Sequence, residues 1–305
     1  MGVRMQKVAR MRETHSVSCA LRVSFRCCVR VDLGSPSKPG PKAPVVILPG
    51  FLQGSKAYQN MQRSLEARGH PTSIVGLSSI EWIPTLWGSS FKFYLDKLQA
   101  QVQTVYEQNG DQKVHLVCHS AGGWIARIFV GDKVYDGTVY NGLDQVRTIL
   151  CLGTPHQSLE AYPFGRVAEI RKGEDPELPL DVQGRSLRFA NYHYPGAYYP
   201  TIKYISVVGN SVFGREWFLG YKDSCESAFA FGSYKANCDK GDVWGDGVTP
   251  LESAKLEGSQ WVQLQEVRHS QSANRSGHLW YGDEEIVAQW AHMLKEVESA
   301  YHMDV

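Results

Sequence analysis

The most constraining stretch of this chain is Cys118-His119-Ser120-Ala121-Gly122-Gly123, because of what stands on either side of it. Residues 113–117 (KVHLV) read as a short buried strand, and a helical pattern begins at Trp124 and runs to Val130. A strand that turns directly into a helix leaves no room at the crossing, so small residues are required there. In such a turn the central Ser is driven into strained backbone geometry and its hydroxyl is lifted above the sheet edge. Gly122 meets the demand for a small residue two positions after Ser120. Two positions before it, where a Gly is usual, stands Cys118, which is small enough to pass.

Strands and helices alternate from residue 44 onward. Residues 45–48 (VVIL) form a continuous apolar run ending in Pro49-Gly50, the pattern of a strand buried on both faces. Ser55 stands where it would cap a helix reaching Arg68, and residues 71–77 read as a second strand. Residues 91–108 carry Leu95, Leu98, Val102 and Val105 at helical spacing. Further buried strands are expected at 147–152, 203–208 and 261–267. A closing helix follows, with Ile286, Val287, Trp290, Leu294 and Val297 as its apolar stripe. This alternation predicts an α/β fold: a mostly parallel central sheet with helices on both faces.

A Ser in this turn needs a base, an acid and donors for the developing oxyanion. One donor is expected from the backbone N–H of Ala121, and the other from the loop after the first strand, where Gly50 lets Phe51 turn inward. The acid and base should follow in the order Ser, carboxylate, His. Asp246 lies between Gly245 and Gly247, free to turn toward a neighbouring loop, whereas Asp239 and Asp242 read as surface turn residues. The segment Gly153-Thr154-Pro155-His156 offers no carboxylate. His269 follows the last strand at its carboxyl end, where loops of a parallel sheet converge. It is the favoured base, with His278 as the competitor. His292 and His302 read as surface or packing residues.

These segments together resemble the α/β-hydrolases, and within them a lipase-like esterase group of plants and cyanobacteria. The likeness is carried by Leu48-Pro49-Gly50-Phe51-Leu52, by His119-Ser120-Ala121-Gly122-Gly123-Trp124 and by Leu152-Gly153-Thr154-Pro155-His156. Gly245-Asp246-Gly247-Val248-Thr249-Pro250 and Trp280-Tyr281-Gly282 add to it. It spans residues 44–300 and implies an α/β-hydrolase fold that hydrolyses esters through Ser120, Asp246 and His269, with Phe51 and Ala121 as oxyanion donors. In that group the base stands in a His-Ser pair, as His269-Ser270 does. Cys118 and the extra His278 depart from the pattern. A ligand-binding module on the same scaffold, or an acyltransferase using the same residues, are the alternatives.

The aromatics near 78–95 (Trp82, Trp87, Phe91, Phe93) and within 157–200 (Phe189, Tyr192, Tyr194, Tyr198, Tyr199) are expected to form an inserted cap, either lining the site or packing among themselves. An apolar cap suits a hydrophobic or lipid acyl ester. Thirty-two Lys and Arg against thirty-one Asp and Glu leave a net charge of +1, which argues against nucleic acid as a partner. No apolar run is long enough to span a bilayer, so membrane contact would be peripheral. No cofactor or metal site is expected: His115 and His119 lie on a strand and a turn rather than on one helical face. Cys225 and Cys238 flank a loop and are a candidate pair that the lack of a secretory context disfavours. Residues 1–43 form a separate arm, basic and acid-poor up to residue 30, then a Pro/Gly linker. That composition is transit-peptide-like, with a plastid the favoured destination, ahead of a mitochondrion; without targeting the chain would be cytoplasmic.

Overall fold

The computed structural model describes residues 42–159, 167–216, 224–271 and 277–295. The basic arm and nearly all of the linker lie outside the described residues.

Six strands form one parallel sheet: β1 (Val45–Leu48), β2 (Thr72–Ile74), β3 (Val114–His119), β4 (Val146–Leu152), β5 (Lys203–Asn210) and β8 (Gln260–Gln265), in the spatial order β2-β1-β3-β4-β5-β8. The apolar run at β1 is buried throughout because both faces are covered. Val46 and Leu48 face one core, built with α2 (Lys92–Gln108), α3 (Gly122–Phe129) and α4 (Ser186–His193). Val45 and Ile47 face the other, built with α1 (Gln59–Glu66) and α7 (Glu284–Trp290). α2 lays Leu95, Leu98, Val102 and Val105 on the sheet as its spacing requires. This is the parallel central sheet with helices on both faces that the alternation predicts.

The chain leaves β1 toward the β2 edge and leaves β3 toward the β4 side, so their carboxyl ends diverge and open a crevice. Four smaller elements lie between β5 and β8 in sequence. β6 (Val212–Phe213) pairs with β7 (Trp244–Gly245), α5 (Ser224–Cys238) lies between them in sequence, and α6 (Leu251–Ala254) follows. β9 (Val267–Arg268) pairs in parallel with β10 (Leu279–Trp280).

Several elements differ from expectation. Gly54, not Ser55, heads a 3-10 turn at Ser55–Tyr58, and α1 starts only at Gln59. The second strand shrinks from seven residues to three at the sheet edge. The last strand divides at Glu266, whose φ of +58° breaks the extended run between β8 and β9. The closing helix turns 3-10 at Ala291–Leu294, and Val297 and His302 lie outside the described residues. Among the described residues no helix is long and apolar enough to cross a membrane.

Candidate active site

β3 runs through His119 and α3 begins at Gly122, so two residues make the whole turn. Ser120 takes a left-handed φ of +51°, a conformation that costs a residue with a Cβ about 1–2 kcal/mol. Strand β4 and the first turn of α3 hold it there: its N–H donates to the Leu152 carbonyl at 2.9 Å, and its carbonyl accepts from the Gly123 N–H at 3.1 Å. The hydroxyl thereby stands at the carboxyl end of the sheet, in the crevice between β1 and β3.

The break at Glu266 redirects the chain so that His269 follows β9 and faces that crevice. Its backbone N–H donates to the Asp246 carbonyl at 2.9 Å. Its side chain bridges the other two residues, with Nδ1 2.8 Å from Asp246 Oδ2 and Nε2 3.0 Å from Ser120 Oγ. Asp246 sits in a tight turn after β7, where the N–H groups of Val248 and Thr249 donate to Oδ1 at 3.0 and 2.7 Å. Burial is the largest influence on this carboxyl and pushes its pKa up. The His269 charge, the His269 hydrogen bond and the two backbone donors together outweigh burial and hold it below the ordinary value. An ionised carboxylate only accepts, so Nδ1 carries the proton and Nε2 presents a lone pair to the Ser120 hydroxyl.

His269, rather than His278, meets Ser120. His278 precedes β10 and is not among the residues lining the crevice. His292 is exposed. Phe51 and Ala121 both line the crevice beside Ser120, on the loop after β1 and at the head of α3.

Tyr281 is part of the constellation although its motif alone assigns it no role. Its hydroxyl donates to Asp246 Oδ2 at 2.9 Å and accepts from the Gly209 N–H at 2.7 Å. Full burial keeps this phenol protonated, its pKa far above ordinary, and so a permanent donor.

The crevice widens into a cavity of about 570 Å³. Its walls are Phe51, Leu52, Trp124, Pro155 and Val248, closed on one side by a face of α5 bearing Ala228, Phe229, Gly232, Ser233, Ala236 and Asn237. Of the expected cap segments, Ser158 alone lines it among the described residues, and none of the expected cap aromatics does; residues 160–166 lie outside the described residues. Instead Trp82 is buried beneath the loop after β1. Its indole N–H donates to the Gln53 carbonyl at 3.1 Å and its ring meets Phe51 edge-on at 5.3 Å. Tyr94 donates to the Pro49 carbonyl at 2.7 Å. These aromatics support the loop from below while α5 walls the cavity. Glu226 near the start of α5 pairs with Arg268, the residue before His269. Cys225 and Cys238 are free thiols near the two ends of α5.

A profile of the PGAP1-like alpha/beta domain family matches residues 88–164, a stretch that contains Ser120. No curated protein matches the sequence. Among solved structures, the chain is similar to that reported for LipS and LipT, two metagenome-derived lipolytic enzymes. Identity there is 11% over 84% of this chain and 94% of that one, with a TM-score of 0.48. It is similar to the phospholipase PlaB from Legionella pneumophila, at 12% identity over 86% of this chain and 66% of that one, TM-score 0.46. It is also similar to Est1E from Butyrivibrio proteoclasticus with ferulic acid bound, at 15% identity over 86% and 93%, TM-score 0.45.

Proposed function

We propose that the chain is a serine carboxylic-ester hydrolase that works through an acyl-enzyme on an uncharged ester with a bulky apolar, lipid-like acyl group. The observation that carries this reading is the unbroken hydrogen-bonded sequence Ser120 Oγ, His269 Nε2, His269 Nδ1, Asp246 Oδ2, opening into the cavity.

The Ser120 oxygen attacks the acyl carbonyl while its proton passes to His269 Nε2. The C–O bond forms as the carbonyl π pair moves onto oxygen, and the backbone N–H groups of Phe51 and Ala121 receive that oxyanion. Each such donor contributes about 3 kcal/mol of barrier lowering. Asp246 stabilises the imidazolium. Collapse of the adduct expels the alcohol, which takes the proton from Nε2, and leaves the acyl group on Ser120. Water then repeats the cycle, losing its proton to Nε2 and releasing the acid.

Substrate chemistry is argued from the walls. Among the described residues no Lys, Arg, Asp or Glu lines the cavity, so nothing there neutralises a charged acyl or alcohol group. The test compares p-nitrophenyl butyrate and decanoate with an ester bearing a terminal carboxylate, and adds a fluorophosphonate label. The wild type should turn over the neutral esters and be labelled, and Ser120→Ala should do neither. Equal inertness of both proteins would remove the proposal.

A further inference from the structure

We infer that Tyr58 and His119 are positioning residues: a single directed hydrogen-bond chain through them fastens the loop bearing Phe51 to the loop bearing His269. The inference rests on the reading of Ser120 as nucleophile, and deepens it.

His119 immediately precedes Ser120 and is buried. Its Nε2 lies 2.7 Å from the backbone carbonyl of His269, and its Nδ1 lies 2.7 Å from the Tyr58 hydroxyl. The Tyr58 oxygen lies 2.8 Å from the Gly50 N–H. A carbonyl only accepts, so Nε2 carries a proton. Burial, aided by the charge of His269, pushes the His119 pKa down to about 3, so the ring stays neutral and Nδ1 is an acceptor. Tyr58 must then donate to Nδ1, and its lone pair receives Gly50 N–H. Burial keeps the Tyr58 phenol protonated. Each donor and acceptor has one assignment, and reversing any link breaks its neighbour.

The chain joins four segments: the loop after β1, the nearby turn before α1, and, distant in sequence, the end of β3 and the loop after β9. At one end it fixes the peptide that precedes the oxyanion donor. The Gly50 N–H is held by Tyr58, and its carbonyl accepts from Gln53 at 3.0 Å. In a trans peptide the Phe51 N–H points opposite to that carbonyl, so fixing Gly50 aims Phe51. The contact is close: a Cβ on Gly50 would fall 2.6 Å from His119 Nδ1 and 2.9 Å from Ser120 Cβ. At the other end the chain grips the backbone of the base itself. Trp280 braces both rings, with centroids 5.6 Å from Tyr58 and 5.8 Å from His119. Oxyanion donor and base are therefore set relative to each other through the residue before the nucleophile.

Tyr58→Phe keeps the ring and removes the link; His119→Leu removes both links; His119→Gln keeps a donor for the His269 carbonyl. With p-nitrophenyl butyrate, Tyr58→Phe and His119→Leu should lower kcat ten- to a hundredfold with KM within about twofold, since displacements near 1 Å cost about that much. His119→Gln should recover part of the loss, and melting curves should show all three folded. Nitrogen-15 histidine spectra of the wild type should show a neutral Nε2–H ring from pH 8 to 5 that His119→Gln removes. A Tyr58→Phe enzyme within twofold of the wild type in kcat, or a His119 ring protonated at Nδ1, would overturn the inference while leaving Ser120 in place. An inert, unlabelled wild type would instead remove the reading of Ser120, and this inference with it.

Discussion

The Asp246 carboxylate receives four hydrogen bonds, from His269, Tyr281, Val248 and Thr249, and the two side-chain donors share Oδ2. That oxygen orients the imidazole, so changes beside it should act on kcat. Asp246→Asn can hold the ring in the wrong tautomer and should cost on the order of ten-thousandfold in kcat. Tyr281→Phe removes one donor and leaves the Gly209 N–H unpartnered; a loss of roughly tenfold in kcat, read by steady-state kinetics, is expected. Gly153 has a φ of +57°, and a Cβ there would fall 2.5 Å from Asp246 Oδ2, so Gly153→Ala should displace the acid and depress kcat by about a hundredfold. Ser120, Asp246 and His269 were legible in the sequence because each follows a strand or sits between glycines in the expected chain order. Tyr281, Tyr58 and His119 were not, because their roles lie in contacts spanning up to 150 positions that no local pattern encodes.

At the scale of elements, α5 decides what the cavity admits. Phe229, 65% exposed, and Gly232 stand on its cavity side, and a Cβ built on Gly232 meets nothing within 4 Å. Gly232→Phe should therefore fold normally and fill space that an acyl chain would occupy. The decanoate-to-butyrate ratio of kcat/KM should fall at least tenfold, and an unchanged ratio would place the acyl group elsewhere. The sequence hid this helix because only Ala230 and Tyr234 pack into a small cluster with Val212, while another face borders the cavity. Its small and mixed residues, SCESAFAFGSYKANC, then show no apolar stripe. The aromatic segments were conspicuous for the opposite reason: Trp82 and Phe91 belong to the core beneath the site. β1, β3, β4 and β5 read clearly because strands buried on both faces leave unbroken apolar runs. Edge strand β2 and the divided β8–β9 depend on their neighbours and did not.

For the whole molecule, buried neutral histidines make stability depend on acidity. Burial pushes His115 and His119 down to about 3, and His156 well below its ordinary value. Between about pH 6.5 and 3 the unfolded chain binds protons at these positions and the folded chain does not. Folding is thus weakened as pH falls, by up to about 1.4 kcal/mol per pH unit for each group. The depressed Asp246 has the same sign at lower pH: its contribution is complete above the ordinary carboxylate range and is lost as pH falls through its folded value. Urea midpoints should decline steadily from pH 7 to 5, and a flat profile would contradict the burial of these rings as neutral species. The sheet order, with its divergence between β1 and β3, puts the site where parallel strands end, but the site's members come from opposite parts of the chain. Ser120 is synthesised long before His269 and Tyr281. On the proposed mechanism, a nascent polypeptide on the ribosome consequently carries an ordinary, unreactive alcohol at that turn, and Ser120 meets its base only when the last strands dock.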